Sequence, residues 1–289
     1  MEVLINGLNT YLGGRAASHL QEDDFNVHGI VRNLNVFNTR LREPLHAQLH
    51  EVDLIRLGPS FHELFIKSLD VAYYFTQVHD FSDKFTLNLE ILSLKNYIEL
   101  IKRNNCRRLI FIARLMDRKY IAQIERVLKE ERIDYTIVLK SVAIGKGSVV
   151  DTYIKNLLKF SYVPYMKKVA NIHFKPIAAL DVLKFVKKVA INTNFVGQTI
   201  GLGGPKEMTF QSLFRLYAQN FSPNMKFHGV SVPAFLLNII HKNIYHINEE
   251  DHLEFNRLME FEYPINNQPW FDRFPFGFTS ISQTIIKDC

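Results

Sequence analysis

The chain is poor in the residues that mark extracellular, metal-binding or membrane proteins. Its 289 residues include two cysteines, Cys106 and Cys289, too few for a disulfide framework and in keeping with a reducing compartment. Neither HExxH nor paired CxxC occurs; His46 and His50 stand four apart, but no acidic third ligand follows at zinc spacing. A G-x-S-x-G nucleophile elbow and a P-loop are also missing, which excludes the commonest serine-hydrolase and nucleotide-triphosphatase designs. Long apolar runs are lacking too. The most apolar later segment, "VSVPAFLLNII", falls far short of the roughly 20 residues that cross a bilayer. The N-terminus shows no signal-peptide pattern. These absences lead to the expectation of a cytoplasmic protein with no metal and no membrane association.

What is present suits a globular enzyme-sized chain. Hydrophobic residues make up 47% and charged residues 22%, enough to bury a sizeable core. The net charge of +6 comes from small scattered groups such as Arg107-Arg108 and Lys187-Lys188. No RNA-binding signature or zinc-finger spacing accompanies them, so no nucleic-acid partner is expected. A basic surface of this kind also steers anionic small molecules.

The first half alternates strand-like and helical periods. "EVLING", "NVHGIVRN", "LHAQLHEVDL", "DVAYYFTQ", "RRLIFIAR" and "DYTIVLKS" read as strands. Between them, "SFHELFIKSL" carries Phe61, Leu64, Phe65 and Leu69 at helical spacing. Asp83 to Asn104 carries Leu87, Ile91, Leu94, Ile98 and Ile101 likewise. Such alternation predicts an α/β fold with a doubly wound parallel sheet. We expect a core over residues 1–150, and over 151–289 the completion of the sheet followed by a small C-terminal lobe. In that second part "ALDVLKFVKKVAI" and "TFQSLFRLYAQN", with Thr209 as N-cap, read as helices, and "QTIGLGG" as a strand and turn. The run "FDRFPFGF", with four phenylalanines, suits a packed lobe first and a homodimer contact second.

The stretch "VLINGLNTYLGGRAASHL" places Gly7 and Gly13 between the first strand and its helix, the position of a phosphate-gripping turn. In such turns one glycine makes the tight bend, one lets the backbone approach a diphosphate, and one allows close helix packing. The middle place is held by Thr10. Its branched side chain stands where backbone and phosphate would touch, and it disfavours a positive φ. Two outcomes stay open: the hydroxyl serves a phosphate oxygen, or the side chain closes the groove and no cofactor binds. Arg32, after the second strand, suits a 2′-phosphate and so favours NADP(H) over NAD(H). Asp53, after the third, suits the adenine side.

With "INGLNTYLGGR", "GIVRN", "VDL" and "DVAYYF" in order, the chain resembles the atypical short-chain dehydrogenase/reductases, in particular their NmrA-like and sugar-nucleotide-epimerase-like members. "NYIELIKRNNCRRLIFIARL", "IERVLKEERIDYTIVLKSVAIGKGS", "FKPIAALDV" and "GLGGPKEMTFQSL" extend the likeness in register to about Tyr217. The resemblance implies a Rossmann-like sheet, a nicotinamide cofactor along its C-terminal edge and a C-terminal substrate lobe. It implies cofactor contacts at Gly7, Gly13, Arg32 and Asp53, backbone contacts at Thr10, Tyr11 and Leu12, and a flank at Phe75, Thr76 and Gln77. It also implies oxidoreductase or epimerase activity, or, as in NmrA-like members, nucleotide sensing without turnover. The family's catalytic Tyr, with a Lys four positions on, does not carry over. Tyr120 is followed four positions later by Ile124, the other register gives Asp117 and Ile121, and the strand end reads Ala113-Arg114 in place of Ser. Tyr120 and Lys140 remain as the only catalytic candidates. Tyr162, Tyr165, His173 and Lys175 fall where relatives line the substrate side.

Overall fold

The computed structural model describes every residue except 23–24, 42–44, 46, 79–80, 248, 261 and 273. His46 therefore lies outside the described residues. Strands β1 (Glu2–Asn6), β2 (Asn26–Val31), β3 (Gln48–Glu51), β4 (Leu69–Phe75), β5 (Arg108–Arg114) and β6 (Asp134–Lys140) alternate with helices. These are α1 (Tyr11–Gln21), α2 (Leu34–Arg40), α3 (Pro59–Glu63), α4 (Lys84–Arg103) and α5 (Ile121–Glu130). With the later strand Gln198–Leu202 they build a seven-stranded sheet in the order Gln198–Leu202, β6, β5, β4, β1, β2, β3. The pairs β1/β2, β1/β4, β2/β3 and β4/β5 are all parallel. The fold is α/β and Rossmann-like, as the alternation predicts.

The order has a mechanical consequence. The chain winds outward from β1 through β2 to β3, then returns to β4 on the other side of β1. The connections leave β1 and β4 in opposite directions, and a crevice opens above the C-terminal ends of those two strands. The strands end at Asn6 and Phe75, which places Gly7 and Thr76 at its rim.

Two compact units divide the chain. The first comprises Met1–Leu139 with Leu183–Ile200, the second Lys140–Val182 with Gly201–Cys289. The first is centred on β4 and β5, where Tyr73, Tyr74, Phe111 and Ile110 are fully buried. Tyr97 of α4 packs edge-on to Tyr74 and donates its hydroxyl to the carbonyls of Leu4 (2.8 Å) and Tyr73 (3.1 Å). The second unit gathers Tyr153, Phe210, Tyr217, Phe255 and Met259 into its own core. Its C-terminal part holds helices Ala234–Asn243, Glu249–Leu258 and Ile281–Asp288, which the weak periodicity beyond Pro223 does not reveal. Among the described residues no helix is long and apolar enough to cross a membrane.

One helix is much shorter than its periodicity suggests. α3 stops at Glu63, so Phe61 is buried while Phe65 is 70% exposed, and Leu69 belongs to β4. The cause lies 40 residues away. The side chain of Asn104 accepts from the Ile66 amide (2.6 Å) and donates to the carbonyls of Leu64 (3.3 Å) and Leu100 (2.9 Å). Those bonds hold the segment after Glu63 in a shape that no helix could continue. Asn104→Ala removes the side-chain partner of the Ile66 amide and of the Leu64 carbonyl, while the Leu100 carbonyl keeps the backbone amide of residue 104. Each such loss costs about 1 kcal/mol or more, so we expect a stability loss of roughly 2–3 kcal/mol in urea unfolding. A loss below about 0.5 kcal/mol would contradict this.

Candidate functional site

The turn after β1 is held closed from within. Gly7 has φ +91°, and a Cβ there would stand 2.5 Å from the Phe75 carbonyl oxygen, so only glycine lets β1 end this close to β4. Three residues on, the Thr10 amide (2.9 Å) and hydroxyl (2.7 Å) both donate to the Gly7 carbonyl. The same hydroxyl accepts from the Gly13 amide at 3.1 Å, making Thr10 the N-cap of α1. A Cβ on Gly13 would fall 2.1 Å from the Gly7 carbonyl oxygen, which accounts for the second glycine.

This geometry corrects one expectation. Thr10 has φ −83° and ψ 153°, an extended conformation open to any residue, so position 10 has no need of a positive φ. Its hydroxyl is engaged on both sides inside the turn. At a helix start the first amides lack intrahelical acceptors. Thr10 satisfies that of Gly13, and the Gly14 amide reaches the Thr10 carbonyl at 3.1 Å. The Leu12 amide forms no hydrogen bond with the described residues. Beside it, Tyr11 accepts a hydrogen bond from Arg15 (2.8 Å), whose guanidinium lies over the Tyr11 ring.

At the ends of β2 and β3 the structure brings Arg32 and Asp53 together. Arg32 Nε lies 3.6 Å from Asp53 Oδ2, with the Arg32 side chain 73% exposed. Asp53 Oδ1 accepts from the amides of Ile55 (2.8 Å) and Arg56 (3.0 Å), so the carboxylate is fixed by its own loop and the arginine leans on it from solvent. An exposed pair of this kind adds little stability. The cation is therefore available to an anion at modest cost.

The flank after β4 is tied down more heavily. Thr76 extends the ladder to the Ile112 carbonyl (3.1 Å). The Gln77 side chain donates to Asn6 Oδ1 (3.2 Å), bridging β4 to β1. The amides of Gln77 (3.2 Å) and Val78 (3.3 Å) donate to the two carboxylate oxygens of Glu90, a buried residue of α4. Burial pushes the Glu90 carboxyl up to about 7, against the opposing pull of those amides. Glu90 stands between Leu87 and Leu94 on the apolar stripe of α4. A carboxylate on that stripe is the sequence signal that pattern reading passed over.

Beyond β5, where the resemblance read from the sequence leads one to expect a catalytic Ser and Tyr, there is a buried ion pair. Arg114 Nε meets Asp117 Oδ2 at 2.7 Å, their side chains 9% and 1% exposed. Arg114 Nη2 also donates to the Val78 carbonyl at 3.0 Å. A guanidinium does not release a proton near neutral pH, and Asp117 is sealed from solvent. Tyr120 ends the tight turn Leu115–Tyr120; its ring lies edge-on to Phe81, with the Lys119 ammonium 4.9 Å from its centre. Lys140 opens the second compact unit. Of the four substrate-side positions, Tyr162 accepts from the Tyr245 hydroxyl, Tyr165 packs on Gly229, His173 faces Glu207, and Lys175 donates to the Ile265 carbonyl. His50 sits on β3, its Nε2 2.9 Å from Nδ1 of His28.

No family model matches the chain, and no curated protein sequence matches it significantly. Solved structures do match, over its whole length. A nucleoside-diphosphate-sugar epimerase from Staphylococcus aureus is 14% identical, with 100% of each chain covered and a TM-score of 0.71. The triphenylmethane reductase of a Citrobacter species, crystallised with NADP(H), is 12% identical over 99% of each chain, TM-score 0.73. The UDP-N-acetylglucosamine 4-epimerase of Bacillus cereus is 8% identical over 99% of this chain and 97% of that one, TM-score 0.71. This chain has their fold. The likeness read from sequence as far as Tyr217 thus extends, at the level of fold, through the C-terminal helices.

The Arg114–Asp117 pair gives a direct test of what the end of β5 is for. Removing one partner of a buried pair strands the other charge. Asp117→Ala should therefore lower stability by about 3 kcal/mol, and adding Arg114→Met should recover part of it. Equal stability of Asp117→Ala and wild type in denaturant titration would refute a structural role.

Proposed function

We propose that the chain binds a nicotinamide dinucleotide, NADP(H) ahead of NAD(H), across the β1/β4 crevice, and serves as a nucleotide-responsive module without the Tyr–Lys proton-transfer pair that the sequence resemblance leads one to expect. The observation carrying the binding half is the Leu12 amide at the start of α1, open among the described residues, beside a turn in which Thr10 folds its hydroxyl inward. A diphosphate would meet that amide and the positive end of the helix dipole. Arg32 would hold a 2′-phosphate, exchanging its exposed contact with Asp53 for a stronger charge-assisted bond. Phe75, Thr76 and Gln77 would border the crevice from β4. In this reading the bound dinucleotide supplies a redox-active ring, and the protein supplies anion binding and orientation.

The sensing half is carried by the Arg114–Asp117 pair, a buried and mutually satisfied set in the place of catalytic groups. An oxidoreductase or epimerase reading keeps support from the fold and would require Tyr120, Lys140 or water as proton donor. The reading includes a second copy of this chain as the preferred protein partner, through the Phe-rich C-terminal run.

Titration with NADPH and NADH under thermal unfolding tests the reading. NADPH at a hundred times its dissociation constant should stabilise the protein by about 2.7 kcal/mol. Arg32→Asp should reduce the preference for NADPH over NADH by roughly tenfold, equivalent to about 1.4 kcal/mol. Bound NADPH should stay unoxidised when ketones and sugar nucleotides are added. No stabilisation by either nucleotide would overturn the binding half, and steady oxidation of NADPH the sensing half.

A further inference from the structure

The segment after β4 is gripped from two sides at one residue. Glu90 holds the amide of Val78 and that of its neighbour Gln77, one on each carboxylate oxygen, while Arg114 holds the Val78 carbonyl. Arg114 is itself locked by Asp117. Gln77 passes the constraint on to β1 through Asn6, whose side-chain Nδ2 is buried and has no partner among the described residues. The rim of the β1/β4 crevice therefore takes its shape from one carboxylate on α4.

The chemistry of that carboxylate is two-state. Ionised, it accepts at both oxygens. Protonated, one oxygen carries a hydrogen and becomes a donor, and it is left a much weaker acceptor for an N–H. The two amides present two donors in fixed positions, one to each oxygen, and only the ionised form offers both a strong acceptor.

We infer that Glu90 is a proton-operated latch on residues 76–78, fixing the crevice rim when ionised and freeing one of the two amides when protonated. Its consequence for cofactor affinity rests on the nucleotide-binding reading; the latch itself does not. Among the described residues, the groups facing Glu90 are the Tyr74 hydroxyl from β4 and the Arg114 guanidinium from β5. Both favour the ionised form, as do the Gln77 and Val78 amides. Asp117 draws on the same guanidinium, leaving Arg114 only partly available to Glu90. Burial outweighs them all and sets the carboxyl at about 7, so the latch would change state in the physiological range. The role is positioning: Glu90 acts through the backbone amides of Gln77 and Val78.

Hydrogen exchange at the Gln77 and Val78 amides of the free protein, followed by NMR and corrected for intrinsic pH dependence, tests the latch without any ligand. Between pH 8 and pH 6, wild type should lose about tenfold in protection at one or both amides, the change in latched population for a group titrating near 7. Glu90→Gln should show low protection at both pH values, because its amide nitrogen donates where a carboxylate oxygen accepted. Equal wild-type protection at the two pH values overturns the latch, whether or not Glu90→Gln folds. NADH, which has no 2′-phosphate to titrate in this range, is the probe for the consequence. Its affinity should fall about tenfold from pH 8 to pH 6 in wild type and stay flat in Glu90→Gln. Flat NADH affinity alongside pH-sensitive exchange overturns the placement of the latch at the cofactor rim. Absence of binding by NADH and NADPH alike at both pH values overturns the nucleotide reading and leaves the exchange result to decide the latch.

Discussion

One hydroxyl decides what the first turn can be. By donating to the Gly7 carbonyl and accepting from the Gly13 amide, Thr10 closes the loop between β1 and α1 on itself. The close approach of Gly13 to that same carbonyl and the left-handed backbone of Gly7 make the closure possible. A glycine at position 10 would leave the Gly13 amide to be satisfied by a ligand. Threonine satisfies it in advance, so the turn is complete without a guest and retains the Leu12 amide as an open donor. Fewer donors mean weaker anion binding, and a rigid cap means less reorganisation on binding. The two effects oppose each other.

The same economy appears across the crevice. At the end of β5 a buried cation and anion satisfy each other, with a further guanidinium nitrogen on the Val78 carbonyl. At the end of β4 the loop amides are bound by Glu90. Burying charges is costly unless they are paired and hydrogen-bonded, and here each is spent on fixing backbone. The chemistry these residues perform is positional.

The alternation of apolar periods was enough to read six strands, the long helix α4 and the parallel arrangement, because those features depend on local pattern and burial. α3 was misread because its length is set by Asn104, forty residues along the chain, and no local window contains that bond. The C-terminal helices were hidden for a related reason: several of their large apolar residues, including Phe235 and Ile239, are exposed, so no clean stripe forms. At the site, Gly7, Gly13, Arg32 and Asp53 were legible as a motif, and the structure places Arg32 against Asp53. The extended backbone of Thr10 was not, since a threonine in a glycine's place suggests strain that only coordinates can refute. Glu90 left a trace in the sequence, a charge on an apolar stripe, whereas its acceptance of the Gln77 and Val78 amides is visible only in three dimensions.

The central claim is that the Leu12 amide, left over after Thr10 has capped the helix, is where the anionic ligand docks. Amide NMR of ¹⁵N-labelled protein titrated with NADPH addresses it at the atom concerned. The account predicts that the Leu12 resonance moves most, saturably, with the Arg32 side-chain Nε following and the Gly13 amide, already bonded to Thr10, moving little. A titration that saturates while Leu12 stays in place, or one in which Gly13 responds in its stead, would contradict it.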